Sequence, residues 1–344
     1  MATQRIPVIL VTGFLGSGKT TMLNHLMRDS ADTRIGVIVN DFGSINIDAL
    51  AVAGQVDSMI PIENGCLCCA ADASEMDEML ARLTEPELRI DVVVIEASGL
   101  AEPQSMIRAL LSSTNERIVY GGLVEVVDAA EFGDTRARHP ELDRHVRAAD
   151  LVVLNKTDRV TEDERDDLLE TLQEIAPGAP VLTAAHGRVD PALLFDHQPR
   201  EASEERFRQL SFADVCADGH EHGHHLHAAY DSVEFTSAEP LHPQRLMAFL
   251  DSRPVGLYRV KGFLHFAGAG RERKFGLHAV GSYLRFQPSP WEPGEPRVTQ
   301  LVLIGTGIDA DALTKRLAEC AATAPEEIDE THMMGVLRYV DAAD

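Results

Sequence analysis

Gly13-Phe14-Leu15-Gly16-Ser17-Gly18-Lys19-Thr20 decides the reading of this chain. Immediately before it, Ile6-Pro7-Val8-Ile9-Leu10-Val11 is a short, β-branched apolar run that reads as a buried strand. Immediately after it, Thr21-Met22-Leu23-Asn24-His25-Leu26-Met27 has helical spacing. Strand, glycine loop and helix in that order form the setting of a phosphate-binding loop. The glycines let backbone N–H groups curl around an anion at a helix N-terminus. Lys19 brings a point charge to the β- and γ-phosphates, and Thr20 offers a hydroxyl to Mg²⁺. Gly13, Gly16, Ser17, Gly18, Lys19, Thr20 and Thr21 are therefore the candidate phosphate-binding residues. A glycine turn carrying Lys and Thr by coincidence would not need both flanks.

Outward from this loop, strands and helices alternate. Ile35 to Val39 reads as a second strand ending at Asn40-Asp41-Phe42-Gly43. After an irregular stretch from 44 to 60, Met76, Met79, Leu80 and Leu83 repeat at helical spacing. Asp91-Val92-Val93-Val94-Ile95-Glu96 is an apolar strand with an acid at its carboxyl end, where open α/β sheets collect ligands. It continues as Glu96-Ala97-Ser98-Gly99, an E-x-x-G close to the D-x-x-G of switch-bearing GTPases. The acid can hold a Mg²⁺-bound water, and the Gly99 N–H can sense a γ-phosphate. Val119 to Val127 reads as a strand ending at Asp128, and Leu151-Val152-Val153-Leu154 as the strand that delivers Asn155-Lys156-Thr157-Asp158. An N-K-x-D at a strand end selects guanine, because Asp158 can accept from both N1–H and the 2-amino group, a pattern adenine lacks. Pro180 to Thr183 is the last strand of this part. The fold expected is α/β, a doubly wound and mainly parallel P-loop GTPase domain over residues 1–188.

The composition then changes. Residues 189–229 read as a polar linker containing His220, His222, His224, His225 and His227, five imidazoles in eight residues. The tract is either a weak, exchangeable metal site or a His-rich linker with no fixed site. Residues 230–322 alternate apolar and polar side chains in strands at 231–236, 256–266, 274–286 and 298–305. Helices are expected at 243–250 and 309–320, so this part should be a small α+β domain with an antiparallel sheet. Residues 323–344 are expected to form a loosely held acidic tail.

The charge balance excludes some classes. With 31 Lys and Arg against 55 Asp and Glu, the net charge is −24, which argues against general binding to nucleic acid or an anionic membrane. No apolar run approaches the roughly 18 residues that span a bilayer, and the N-terminus lacks a signal-peptide pattern, so a cytoplasmic location is expected. In that compartment the five cysteines should be thiols. Cys216 and Cys320 stand alone, whereas Cys66, Cys68 and Cys69 fall in Glu63-Asn64-Gly65-Cys66-Leu67-Cys68-Cys69. Thiolates at this density suit Zn²⁺ or another borderline-soft metal, and three ligands leave one position open, as a transfer site requires. The cluster lies between the phosphate loop and E-x-x-G, where GTPases carry segments that order around γ-phosphate. Metal affinity and nucleotide state would then be reciprocally coupled.

With these motifs in hand, the chain resembles CobW-type GTPases, within the wider group that includes HypB and UreG. The resemblance rests on Gly13 to Thr20, N-D-F-G at Asn40 to Gly43, E-N-G-C-L-C-C at Glu63 to Cys69, E-A-S-G-L-A-E-P at Glu96 to Pro103 and N-K-T-D at Asn155 to Asp158. R-V-K-G at Arg259 to Gly262 continues it into a CobW-like C-terminal domain. It implies a slow, metal-responsive GTPase acting as a metallochaperone, with GTP as substrate, Mg²⁺, and Zn²⁺ or Co²⁺ as cargo for a metal-dependent client protein. By position, Lys19 and Thr20 would bind phosphate and Mg²⁺, Glu96 would sit on the Mg²⁺ side, and Asn155, Lys156 and Asp158 would read guanine. Cys66, Cys68 and Cys69 would hold the transferred metal. Asp41 stands where relatives often carry Glu, as a metal or water contact. A homodimer is compatible with this reading. Two other classes fit parts of the sequence: a P-loop kinase of a small metabolite, which leaves Asn155 to Asp158 without a role, and a nonenzymatic zinc buffer built on the His tract.

Overall fold

The structure, a computed structural model, describes residues 5–30, 33–39, 59–61, 73–97, 102–195, 230–322 and 328–340. Its first part is built on seven parallel strands: β1 (Ile6–Thr12), β2 (Ile35–Val39), β3 (Met59–Pro61), β4 (Val92–Glu96), β5 (Ile118–Asp128), β6 (Leu151–Asn155) and β7 (Val181–Thr183), in the order β3-β2-β4-β1-β5-β6-β7. β1 lies at the centre, pairing Val11 with Glu96 of β4 and Thr12 with Glu125 of β5. Its continuous apolar run follows from burial on both faces. Ile9 and Val11 pack with α1 (Lys19–Asp29) through Met22, Leu23 and Leu26. Val8 and Leu10 pack on the other face with α2 (Ala73–Leu83) and α3 (Pro103–Leu111). Farther along that face, α4 (Phe132–Arg138), α5 (Leu142–Ala148) and α6 (Glu162–Ile175) cover β5 and β6 through Phe132, Val146, Leu172 and Ile175. Thr161 and Glu164 form a reciprocal capping box at the start of α6. This is the doubly wound architecture that the alternating pattern predicts.

The stretch expected as a polar linker begins instead with α7 (Pro191–Leu194). Leu193, Leu194 and Phe195 are buried with α1, because this short apolar burst completes the first core.

The second part is an antiparallel sheet of β8 (Asp231–Ser237), β9 (Leu257–His265), β10 (Arg273–Val280), β11 (Tyr283–Pro290) and β12 (Thr299–Gly305), in the order β11-β10-β9-β12-β8. Residues 274–286, expected as one strand, are two strands joined at Gly281-Ser282. Gly281 takes φ 51°, the left-handed conformation such a tight turn demands. One face of this sheet packs on α8 (Pro243–Asp251), α9 (Ala310–Ala318) and α10 (Glu330–Leu337). The last helix departs from the loosely held tail expected there: Met333 and Val336 enter the core, and Asp329 caps the helix. Cys320 is also buried here, which pushes its thiol up to about 11.

The two sheets meet directly. Tyr258, Val280 and Ile304 join the core around α1. Asp150 accepts from the Tyr120 hydroxyl, from the Leu123 N–H at 3.0 Å and from the Ser282 N–H at 3.4 Å, while His278 Nε2 lies 2.9 Å from the Tyr120 carbonyl oxygen. Burial raises the Asp150 pKa, and these donors oppose it.

Candidate nucleotide site

Chain reversal between β1 and α1 depends on glycine. Gly13 has φ 140° and Gly18 φ 105°; a Cβ at Gly13 would overlap the Val126 carbonyl oxygen, and one at Gly18 the Asn155 side-chain nitrogen. Between them, Ser17 N–H donates to the Phe14 carbonyl at 3.1 Å, closing the loop on itself. The Lys19 ammonium donates to the carbonyls of Gly13 at 2.8 Å and Phe14 at 3.3 Å, so its charge is held at the loop's centre while Lys19 is only 7% exposed.

Two further strand ends converge here. Thr20 Oγ1 donates to Glu96 Oε1 at 2.7 Å, joining the first turn of α1 to the end of β4. A hydroxyl and a carboxylate side by side are the oxygen donors that a hard divalent cation takes beside phosphate, so Mg²⁺ fits this pair. On the other side, Asn155 at the end of β6 is 1% exposed and spends both ends of its amide inside the protein. Nδ2 donates to the Ser17 carbonyl at 2.9 Å, and Oδ1 accepts from the Gly187 N–H at 2.8 Å. Lys156 follows with φ 61° and pairs its ammonium with Asp128 Oδ2 at 2.7 Å. Asp158 remains partly exposed, 3.9 Å from His186. Asp158 and Lys156 thus keep part of their side chains exposed, while Asn155 is buried and braces the loop.

The sequence reading overlooked Glu125. On the β1-β5 register it sits opposite Thr12, the residue just before the loop, and Thr12 Oγ1 donates to its Oε2 at 2.5 Å. Burial pushes this carboxyl up to about 7, against the Thr12 hydrogen bond and the Lys19 ammonium, which favour the charged form. Its signal was a lone acid inside the apolar run from Val119 to Val127. Beside it a cavity of about 380 Å³ runs along the loop from Phe14 and Leu15 to Asp128 and Lys156.

Gly13, Gly16, Ser17, Gly18, Lys19, Thr20, Thr21, Glu96, Asn155, Lys156 and Asp158 are therefore gathered at the carboxyl ends of β1, β4 and β6, in the turns that follow or in the first turn of α1. Asp41, Gly99, Cys66, Cys68, Cys69 and the histidines at 220, 222, 224, 225 and 227 lie outside the described residues. Among the described residues no group of three or more His, Cys, Asp or Glu side chains is placed to hold a metal ion, and no helix is long and apolar enough to cross a membrane.

Comparison with known proteins fits this geometry. Residues 7–183 match the CobW/HypB/UreG nucleotide-binding domain, and residues 230–321 match the cobalamin synthesis protein cobW C-terminal domain. The chain belongs to the CobW/HypB/UreG family. Among its relatives, a zinc chaperone CobW from Sinorhizobium sp is 31% identical over 336 residues, covering 88% of this chain and 93% of that protein. The zinc chaperone YjiA of Escherichia coli K12 is 34% identical over 196 residues, covering 56% of this chain and 61% of YjiA. A solved structure of Zn(II)-bound YjiA GTPase from E. coli aligns over 93% of this chain and 100% of that one, at 24% identity and a TM-score of 0.45. Both expectations from the sequence, family and fold class, hold.

Proposed function

We propose that this chain is a GTP-hydrolysing metallochaperone of the cytoplasm, in which GTP binding tightens a thiolate metal site and hydrolysis releases the metal toward a client metalloprotein. The observation that carries the reading is the convergence on one loop of Lys19, the Thr20–Glu96 pair and the Asn155 brace. In this reading the Gly13 to Thr20 backbone cradles the phosphates, and Lys19 exchanges the Gly13 and Phe14 carbonyls for phosphate oxygens. Thr20 and Glu96 would hold Mg²⁺, which when bound neutralises charge developing on the phosphates. Asp158 reads the guanine edge, and Lys156, fixed by Asp128, lies along the base side of the loop.

Glu96 leads directly into Ala97-Ser98-Gly99, so a change at the γ-phosphate is felt at the start of that segment. Cys66, Cys68 and Cys69 precede it in the chain and supply the cargo's ligands. Zinc is the metal proposed, because relatives carry the names zinc chaperone and, in Dictyostelium discoideum, zinc-regulated GTPase metalloprotein activator 1. Cobalt is the second choice.

The test is Zn²⁺ affinity of the wild type and of Cys68→Ser, each with a non-hydrolysable GTP analogue and with GDP. The expected result is tighter binding with the analogue in the wild type and loss of that difference in the variant. Equal affinities in the two nucleotide states of the wild type would refute the coupling. Phosphate release from GTP without any acceptor checks the hydrolytic half.

A further inference from the structure

We propose that Glu125 is a positioning residue beneath the phosphate loop and that nucleotide binding is coupled to uptake of a proton on its carboxyl. The inference rests on the nucleotide reading above and adds a regulatory input to it.

Three observations place Glu125 in this role. It is 1% exposed, yet it lies on the face of β5 that lines the cavity beside the loop. Its Oε2 accepts from Thr12, whose carbonyl leads into Gly13, so the carboxyl is one hydrogen bond from the residue that starts the loop. The Lys19 ammonium is the positive charge acting on it. The carboxyl therefore shares Lys19 with the phosphates proposed to bind there. As a polyphosphate draws the ammonium to itself, the carboxylate loses its stabilising cation and faces new negative charge. Both changes favour the neutral acid, and the proton comes from solvent. As an acid, Glu125 can either donate to Thr12 or keep accepting from it, so the Thr12 contact survives protonation.

Other charged groups also line this cavity. Asp128 is paired with Lys156, and Arg138 Nε donates to the Asp134 carbonyl. Arg159 and Glu131 complete the charged lining of that cavity. Around the loop, the His139 ring packs against Phe14 at a 42° tilt with centroids 4.8 Å apart and its Nδ1 lies 3.2 Å from Glu141, while His186 faces Asp158. Paired variants at Glu125 and His139 tell the carboxyl from the imidazole that lies against the loop. Burial brings the Glu125 carboxyl close to neutrality, so the coupling falls in the physiological range.

The experiment is calorimetric titration of the full-length chain with Mg·GDP from pH 6.5 to 8.5, in pairs of buffers with different ionisation enthalpies. For the wild type we expect proton uptake approaching one per nucleotide. The dissociation constant should rise by up to about tenfold per pH unit above about 7. Glu125→Gln should lose that uptake and bind with a flatter profile, while His139→Gln should keep the wild-type uptake. Thr12→Val, which removes the donor to Oε2, should move the wild-type profile to higher pH, a shift that a purely structural role would not produce. An unchanged uptake in Glu125→Gln, or its disappearance in His139→Gln, overturns the proposal with the nucleotide reading intact. Failure of the wild type to bind nucleotide at any pH overturns both.

Discussion

Asn155→Ala tests how the phosphate loop is held. The wild-type amide joins two chain segments far apart in sequence, donating to Ser17 and accepting from Gly187, with Asn155 itself buried. Truncation orphans a carbonyl at one end and an N–H at the other. Each abandoned buried polar group costs about 1–3 kcal/mol, so the loss should be about 2–6 kcal/mol. With a urea slope of about 3 kcal/mol per M, the midpoint should fall by roughly 1 M. The damage should also reach binding, because the untied Ser17 must be ordered again when phosphate enters. A loss of 1.4–2.8 kcal/mol there corresponds to about 10- to 100-fold weaker nucleotide affinity. The assays are urea unfolding followed by circular dichroism and titration with a fluorescent GDP. Asn155→Asp sharpens the test. It keeps the acceptor for Gly187 but turns a carboxylate oxygen toward the Ser17 carbonyl, so it should be weaker at pH 8 than at pH 5. An unfolding free energy within about 0.5 kcal/mol of wild type, with unchanged affinity, would refute the bracing argument.

Three further outcomes follow from the same geometry. Gly281→Ala forces a Cβ into Asp150 at φ 51° and should cost at least about 2 kcal/mol by thermal unfolding, whereas Gly178→Ala, which meets no neighbour, should stay within about 0.5 kcal/mol. Tyr120→Phe removes a donor to the buried Asp150 and should cost about 1–3 kcal/mol in the same measurement. Glu125 holds its proton more tightly folded than unfolded, with a folded pKa of about 7 against an ordinary 4.5. Its contribution to stability therefore declines as pH rises through that window, by up to about 3 kcal/mol. Glu125→Gln without nucleotide should be relatively stabilised at pH 8 and lose that advantage near pH 4.5, as read from unfolding midpoints across pH.

What could be read from sequence was local. Ile6 to Val11 announced a strand buried on both faces, and the glycines after it announced a reversal, because each signal sits within a few residues. The hairpin at Gly281-Ser282 had a local signal as well, but alternation continuing on both sides hid it within one apparent strand. The helix at Glu330 to Leu337 was obscured by the acidic composition around it, and only contact with α8 reveals why Met333 and Val336 belong to a core. Asn155 shows the limit most clearly. Its place in N-K-x-D predicts a base contact but says nothing of its partners in the fold, which are 138 and 32 residues away, and no window of sequence contains both. Glu125 was visible as an acid in an apolar run, but its meaning depends on the parallel register that sets it against Thr12.

The loop is thus fixed from three directions by adjacent strands. Thr20 is tied to Glu96 on β4, Thr12 to Glu125 on β5, and Ser17 to Asn155 on β6. This follows from parallel topology, because β4, β1, β5 and β6 all end at the same edge of the sheet and bring polar residues at or near their ends together there. The ties differ in what breaks them. Asn155 has no titratable proton, so its brace is constant with pH. Thr20 and Glu96 must open if a cation is to enter between them. Glu125 responds to the protonation state and to Lys19 at once. A loop held this way need not move as a whole when phosphate arrives: the β6 side can stay fixed while the β4 side, which continues into Ala97-Ser98-Gly99, takes up the change. Loosening the β6 side, as in Asn155→Ala, should then weaken binding without abolishing the response at β4, whereas Glu96→Gln should weaken that response while the β6 brace persists.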